Sequence, residues 1–85
     1  MNKEKIIKGA SEILGIAAYV TTNADDDKTL SECLEMVENE NYGANLTDEQ
    51  WVYGLVATYA FNSGLYDEWK EYQVKFNQAL LGVAK

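Results

Sequence analysis

Apolar residues recur at intervals of three and four along most of this chain, and nowhere do they alternate at period two over a sustained run. That spacing gathers side chains on one side of a helix, whereas alternation would have indicated strands. Ile6, Ala10, Ile13, Ala17 and Val20 predict a first helix over about Lys3 to Thr21. Gly9 and Gly15 lie inside it, each at about 1 kcal/mol below alanine in helix propensity, so both are expected to mark close approach of a neighbouring backbone. A polar, charged stretch from Asn23 to Lys28 follows. Thr29-Leu30-Ser31-Glu32 then fits a capping box, and Leu30, Cys33, Leu34 and Val37 form a complete stripe of a short second helix that should stop before Gly43.

The third start signal is the clearest. Thr47-Asp48-Glu49-Gln50 is a second capping box, with Leu46 placed to staple against Trp51 and two acids suited to the positive end of the helix dipole. From Trp51 to Phe61 nearly every position is apolar, so this helix, about residues 48–62, has no polar face and should be central. Asn62-Ser63-Gly64 reads as its C-terminal cap, and a fourth helix over about Tyr66 to Leu81 turns Trp69, Tyr72, Phe76 and Leu80 inward. The expected fold is all-α: a single domain over residues 1–85, four compact helices around a central apolar one. Leu34, Val37, Trp51, Leu55, Val56, Tyr59 and Phe76 should be largely buried.

The turn Gly64-Leu65-Tyr66-Asp67-Glu68, with Trp51 and Tyr53 upstream, resembles the inter-helix turn of a tetratricopeptide repeat. Trp69 stands where that repeat has a small residue, and the chain holds no second copy, so the segment is read as an ordinary helical hairpin.

Composition agrees with a folded domain: 47% of the residues are hydrophobic, 12% aromatic, and there is no proline. An 85-residue chain buries only about 60 to 65% of the surface its unfolded form exposes, so the core must be economical. The single cysteine, Cys33, excludes an internal disulfide framework and fits a reducing, cytoplasmic setting. Lys3, Lys5 and Lys8 ahead of Ile13 to Val20, with Thr22-Asn23-Ala24 beyond, have the layout of a signal peptide, but Glu12 borders a short apolar run and the helical reading is preferred. No stretch approaches the roughly 20 apolar residues that span a bilayer, so no membrane partner is expected.

Charge is distributed unevenly. Between residues 25 and 49 stand nine carboxylates (Asp25, Asp26, Asp27, Glu32, Glu35, Glu38, Glu40, Asp48 and Glu49) against Lys28 alone, a net of −8. The remaining residues carry five acids and six lysines, a net of +1, and arginine is absent. Phosphate backbones are bound by Lys and Arg displacing counterions, so direct nucleic-acid binding is not expected. With no histidine, the Ser-His and Cys-His nucleophile arrangements are missing, and Cys33 sits in an apolar stripe as a small buried hydrophobe would; the chain is read as no enzyme. Asn23, Asp25 and Asp27 match the first ligand positions of a calcium loop, but Lys28 replaces its turn glycine and Leu34 its bidentate glutamate, so no metal or other cofactor is expected.

Two functional expectations remain. The first is a small acidic inhibitor or decoy: Glu32, Glu35 and Glu38 step along one side of helix two at about 4.5 Å intervals, Asp25 to Asp27 extend the field, and together they would dock on a basic surface of a nucleic-acid-binding protein. Small size, lack of chemistry and localised charge are the character of phage-type antagonists of host nucleases or polymerases, anti-CRISPR proteins among them. The second is a structural or assembly module, in which Tyr53, Tyr59, Phe61 or Tyr66 from the aromatic stretch 51–76 supplies contacts in a homodimer or a heteromer.

Overall fold

In the computed structural model, which describes residues 1–15 and 30–83, the organising element begins at Thr47. The Thr47 hydroxyl oxygen accepts from the Gln50 backbone N–H at 3.2 Å, and the Gln50 side-chain oxygen accepts from the Thr47 N–H at 3.0 Å. Two amides that a helix start leaves without partners are satisfied by this reciprocal cap. Fifteen helical residues follow, Asp48–Asn62, and this helix is apolar on every side, with Trp51, Val52, Leu55, Val56, Ala57 and Ala60 buried. A helix with no polar face has to be covered all round. Lys3–Leu14, Leu30–Glu40 and Tyr66–Val83 provide that cover; in chain order the four helices are α1, α2, α3 and α4, with Asp48–Asn62 as α3.

The cover is uneven. Both α1 and α2 pack on α3 and also touch each other, whereas α4 touches α3 alone among the described helices. Ile6 and Ala10 of α1, Leu30, Cys33, Leu34 and Val37 of α2, and Leu55 and Val56 of α3 meet in one aliphatic cluster, each at most 2% exposed. Burying an aliphatic side chain of this size stabilises the fold by about 1.5 to 3 kcal/mol. At Gly9 α1 lies close against α3: a Cβ there would lie 3.1 Å from the Val52 Cγ2. The close neighbour expected at Gly9 is present, but it is the Val52 side chain and not a backbone.

Gly15 does something else. It takes the left-handed conformation, φ 70°, and its N–H bonds back to the Glu12 and Ser11 carbonyls, capping α1 at Leu14. The continuous helix expected to Thr21 is thus ended early, and among the described residues nothing beyond its chain neighbours and its own helix backbone lies within 4 Å of where a Gly15 Cβ would be. A left-handed terminal position, cheap only for glycine, explains the residue in place of close packing. Thr29, the first residue of the expected capping box before α2, lies outside the described residues, as do Asp25, Asp26, Asp27 and the calcium-loop-like stretch up to Thr29.

The turn into α4 has the geometry expected of it. Gly64 is left-handed at φ 77°, the Ser63 N–H donates to the Tyr59 carbonyl at 3.0 Å, and the Leu65 N–H reaches back to the Ala60 carbonyl at 2.8 Å. That last bond, six residues to one, is the signature of a Schellman turn. Tyr59, expected to be buried, is only partly so: α3 offers more apolar circumference than three neighbours cover. Among the described residues no helix is long and apolar enough to cross a membrane.

Candidate protein-binding surfaces

The acidic segment divides by role. Asp48 accepts from the Asn2 backbone N–H at 3.2 Å, tying the start of α1 to the start of α3. Glu49 accepts from the Tyr53 hydroxyl at 2.7 Å, and Glu38 lies 3.8 Å from the Lys3 ammonium. Glu32, Glu35 and Glu40 are exposed on α2. At about 100° per residue, a step of three falls about 60° short of a full turn, so Glu32, Glu35 and Glu38 wind over about 120° of the helix instead of forming one row. Glu38 ends up facing α1, where it meets Lys3, and Glu40 faces the other flank, toward α4. The three carboxylates expected along one side of helix two therefore form a splayed set.

The Glu49 hydrogen bond has one electrostatic consequence. It holds the Tyr53 proton in place and, with partial burial and the negative charge of Glu49, pushes the Tyr53 pKa above its ordinary value.

On the side of α2 facing α4 the helices leave a gap. Since the backbones of these two elements stay apart on α3, a groove of about 470 Å³ opens between them. Gly54, Ala57, Thr58 and Phe61 of α3 form its floor, Met36, Val37, Glu40 and Asn41 the α2 wall, and Trp69, Gln73, Phe76, Asn77 and Leu80 the α4 wall. Small floor residues allow the depth. A Cβ on Gly54 would fall 2.7 Å from the Phe76 ring, so only glycine lets that ring lie down on α3.

Aromatic rings hold the α4 wall. Trp51 meets Phe76 with centroids 6.4 Å apart, Tyr53 meets Tyr72 at 6.0 Å, and Phe61 meets Trp69 at 5.4 Å, all tilted. Rings at these separations attract beyond their buried area. Phe61 on the floor is 56% exposed, and outside the groove lining α4 also exposes Tyr66, Val74 and Leu81, at 59%, 47% and 66%. Tyr66, Lys70, Val74 and Leu81 follow at helical spacing, a second stripe beside the inward one of Trp69, Tyr72, Phe76 and Leu80. This second stripe is legible in the sequence, although only Tyr66 of it was expected to make contacts.

A further hollow between α1 and α3 is lined by Lys5, Lys8 and Glu12 against Asp48 and Glu49, so it presents both signs of charge. Cys33 is buried, and among the described residues no three acidic, Cys or His side chains cluster as metal ligands would. The chain matches no protein-family model, no curated protein and no solved structure.

Proposed function

We propose that this chain is a non-enzymatic protein-binding domain whose contact surface is the α2–α4 groove with its α4 lip. One observation supports this above others: Phe61, 56% exposed, stands in an open, aromatic-walled groove, and the helix that forms one wall of it also exposes Tyr66, Val74 and Leu81 along its length. Single exposed apolar residues are ordinary, but a collected apolar surface rimmed by polar groups is the mark of an interaction site. This is the assembly reading, with a heteromeric partner or a second copy as occupant. The lone cysteine, buried as a thiol, is compatible with the cytoplasmic setting proposed alongside it.

The acidic inhibitor or decoy is the second reading, favoured by a different observation. Glu32, Glu35 and Glu40 are exposed on one short helix in a segment of net charge −8, a field suited to a protein with a basic surface. A phage-type, anti-CRISPR-like antagonist would use such a face.

Capture from extracts of the source cells separates the two. Tagged wild type is compared with a Phe61→Ser/Tyr66→Ser variant and with a Glu32→Gln/Glu35→Gln/Glu38→Gln variant. Loss of the captured partner in the first variant and its retention in the second supports the groove; the reverse pattern transfers the function to the carboxylates.

A further inference from the structure

The occupant of the groove is constrained by its walls. All three are helical, so no strand edge is offered to an extended peptide, whose backbone N–H and C=O groups would be covered without partners. A helix satisfies its own backbone and needs only an apolar stripe. From Trp69 to Leu80 the α4 wall runs twelve residues, about 16 Å or three turns, which matches anchors at i, i+3 or i+4, and i+7.

Charge then decides what flanks that stripe. Glu40 lines the α2 wall, and Glu32 and Glu35 lie farther round the same helix, exposed. The opposite lip carries Lys70, while Lys75 is on the far side of α4, over the Tyr53 and Tyr72 rings at 5.5 and 4.8 Å. A second copy of this chain is the poorer candidate: each copy carries a net −7, and its α4 would bring Asp67, Glu68 and Glu71 with it. We infer that the groove takes an amphipathic helix of another protein, apolar on one face and basic along the flank that meets α2. This inference rests on the groove being the contact surface.

The probe is a fluorescent synthetic helix of about 18 residues, some 27 Å long, with leucines on one face and lysines on one flank. A matched peptide carries glutamates in place of those lysines, and a scrambled peptide keeps the lysines without the stripe. Polarisation titrations against the whole chain should give saturable one-to-one binding of the lysine-flanked helix, with the glutamate and scrambled peptides weaker by about tenfold or more. Glu40→Lys should narrow or invert the preference for lysine over glutamate. Phe61→Ser, at an exposed position and with its fold checked by circular dichroism, should weaken the lysine-flanked helix by about tenfold. Backbone amide shifts on titration should centre on the α2 and α4 walls.

Equal binding of the scrambled peptide, or shifts confined to the outer face of α2, would overturn the inference in favour of plain charge attraction. Self-association of the chain, detected by light scattering and abolished by Phe61→Ser, would overturn it in favour of a second copy. If no helix binds and yet Phe61→Ser/Tyr66→Ser still loses the cellular partner, the helical occupant is wrong while the groove remains the contact surface.

Discussion

The two sides of α3 are built differently. Toward α1 and α2 it meets aliphatic side chains that interlock and are almost wholly sealed, as at Ile6, Leu30, Leu34 and Leu55. Toward α4 it meets rings: three tilted aromatic pairs, of which only the Trp51 and Phe76 pair is buried. Aliphatic chains pack in three dimensions and fill space, while rings bring large area per residue and tolerate one exposed edge. The first side is therefore the more completely sealed, and the second can both hold a helix and keep apolar surface exposed.

Truncation at the centre of the aliphatic side gives the largest contrast. Leu55→Ala should destabilise by about 2 to 5 kcal/mol in urea unfolding, as expected for a cavity among fully buried neighbours. Leu81→Ala, on the exposed lip, should stay within about 0.5 kcal/mol. Comparable losses at the two positions would break the division between a stabilising side and a binding side.

On the aromatic side the sensitive point is a glycine. Gly54→Ala gains about 1 kcal/mol of helix propensity, but the new methyl meets the Phe76 ring and overpacking costs about 1 to 3 kcal/mol. Net destabilisation is expected, and it should be largely relieved when Phe76→Leu is added. A double-mutant cycle reads that coupling directly, and additivity would mean that the ring swings into the groove at no cost.

Thr47→Ala removes the cap of the helix both sides share and should cost about 1 kcal/mol. Because α3 is common to both sides, the loss should leave the shape of the unfolding transition unchanged; a transition that splits in two would show that the sides come apart separately.

The smallest expected effect concerns Tyr53, on the aromatic side. Its pKa is raised, first by the hydrogen bond to Glu49, so the protonated hydroxyl is the stabilising form. That contribution is fully present below the ordinary tyrosine range near pH 10 and is lost as pH rises through the elevated folded value. Ultraviolet titration should show Tyr53 ionising above the ordinary tyrosine range, and Glu49→Gln should lower it.

What the sequence made legible was local. The Thr47 capping box, the Gly64 turn and the stripe of α2 depend on residues three or four apart, and each stands in the structure as expected. The end of α1 escaped because the apolar spacing runs on past Gly15, and spacing alone does not distinguish a glycine inside a helix from one that caps it. Tyr59 escaped for another reason: a helix apolar all round has no phase, so its pattern cannot reveal which side is left partly uncovered. The groove escaped because it depends on α2 and α4 failing to meet, which no local signal encodes. The winding of Glu32, Glu35 and Glu38, by contrast, follows from helix arithmetic and needed no structure.

Trp51 and Trp69, the two tryptophans, have been given separate surroundings. Trp51 is 4% exposed against Phe76, whereas Trp69 stands in the groove wall beside Phe61. The molecule thus carries a built-in pair of optical reporters, one attached to the integrity of the interior and one to the state of the groove. A Trp51→Phe variant would leave Trp69 as the sole indole emitter, and its colour would shift toward the blue when an apolar side chain displaces water from the ring. Occupancy of the groove could then be followed without any label, in the same cuvette in which unfolding is measured.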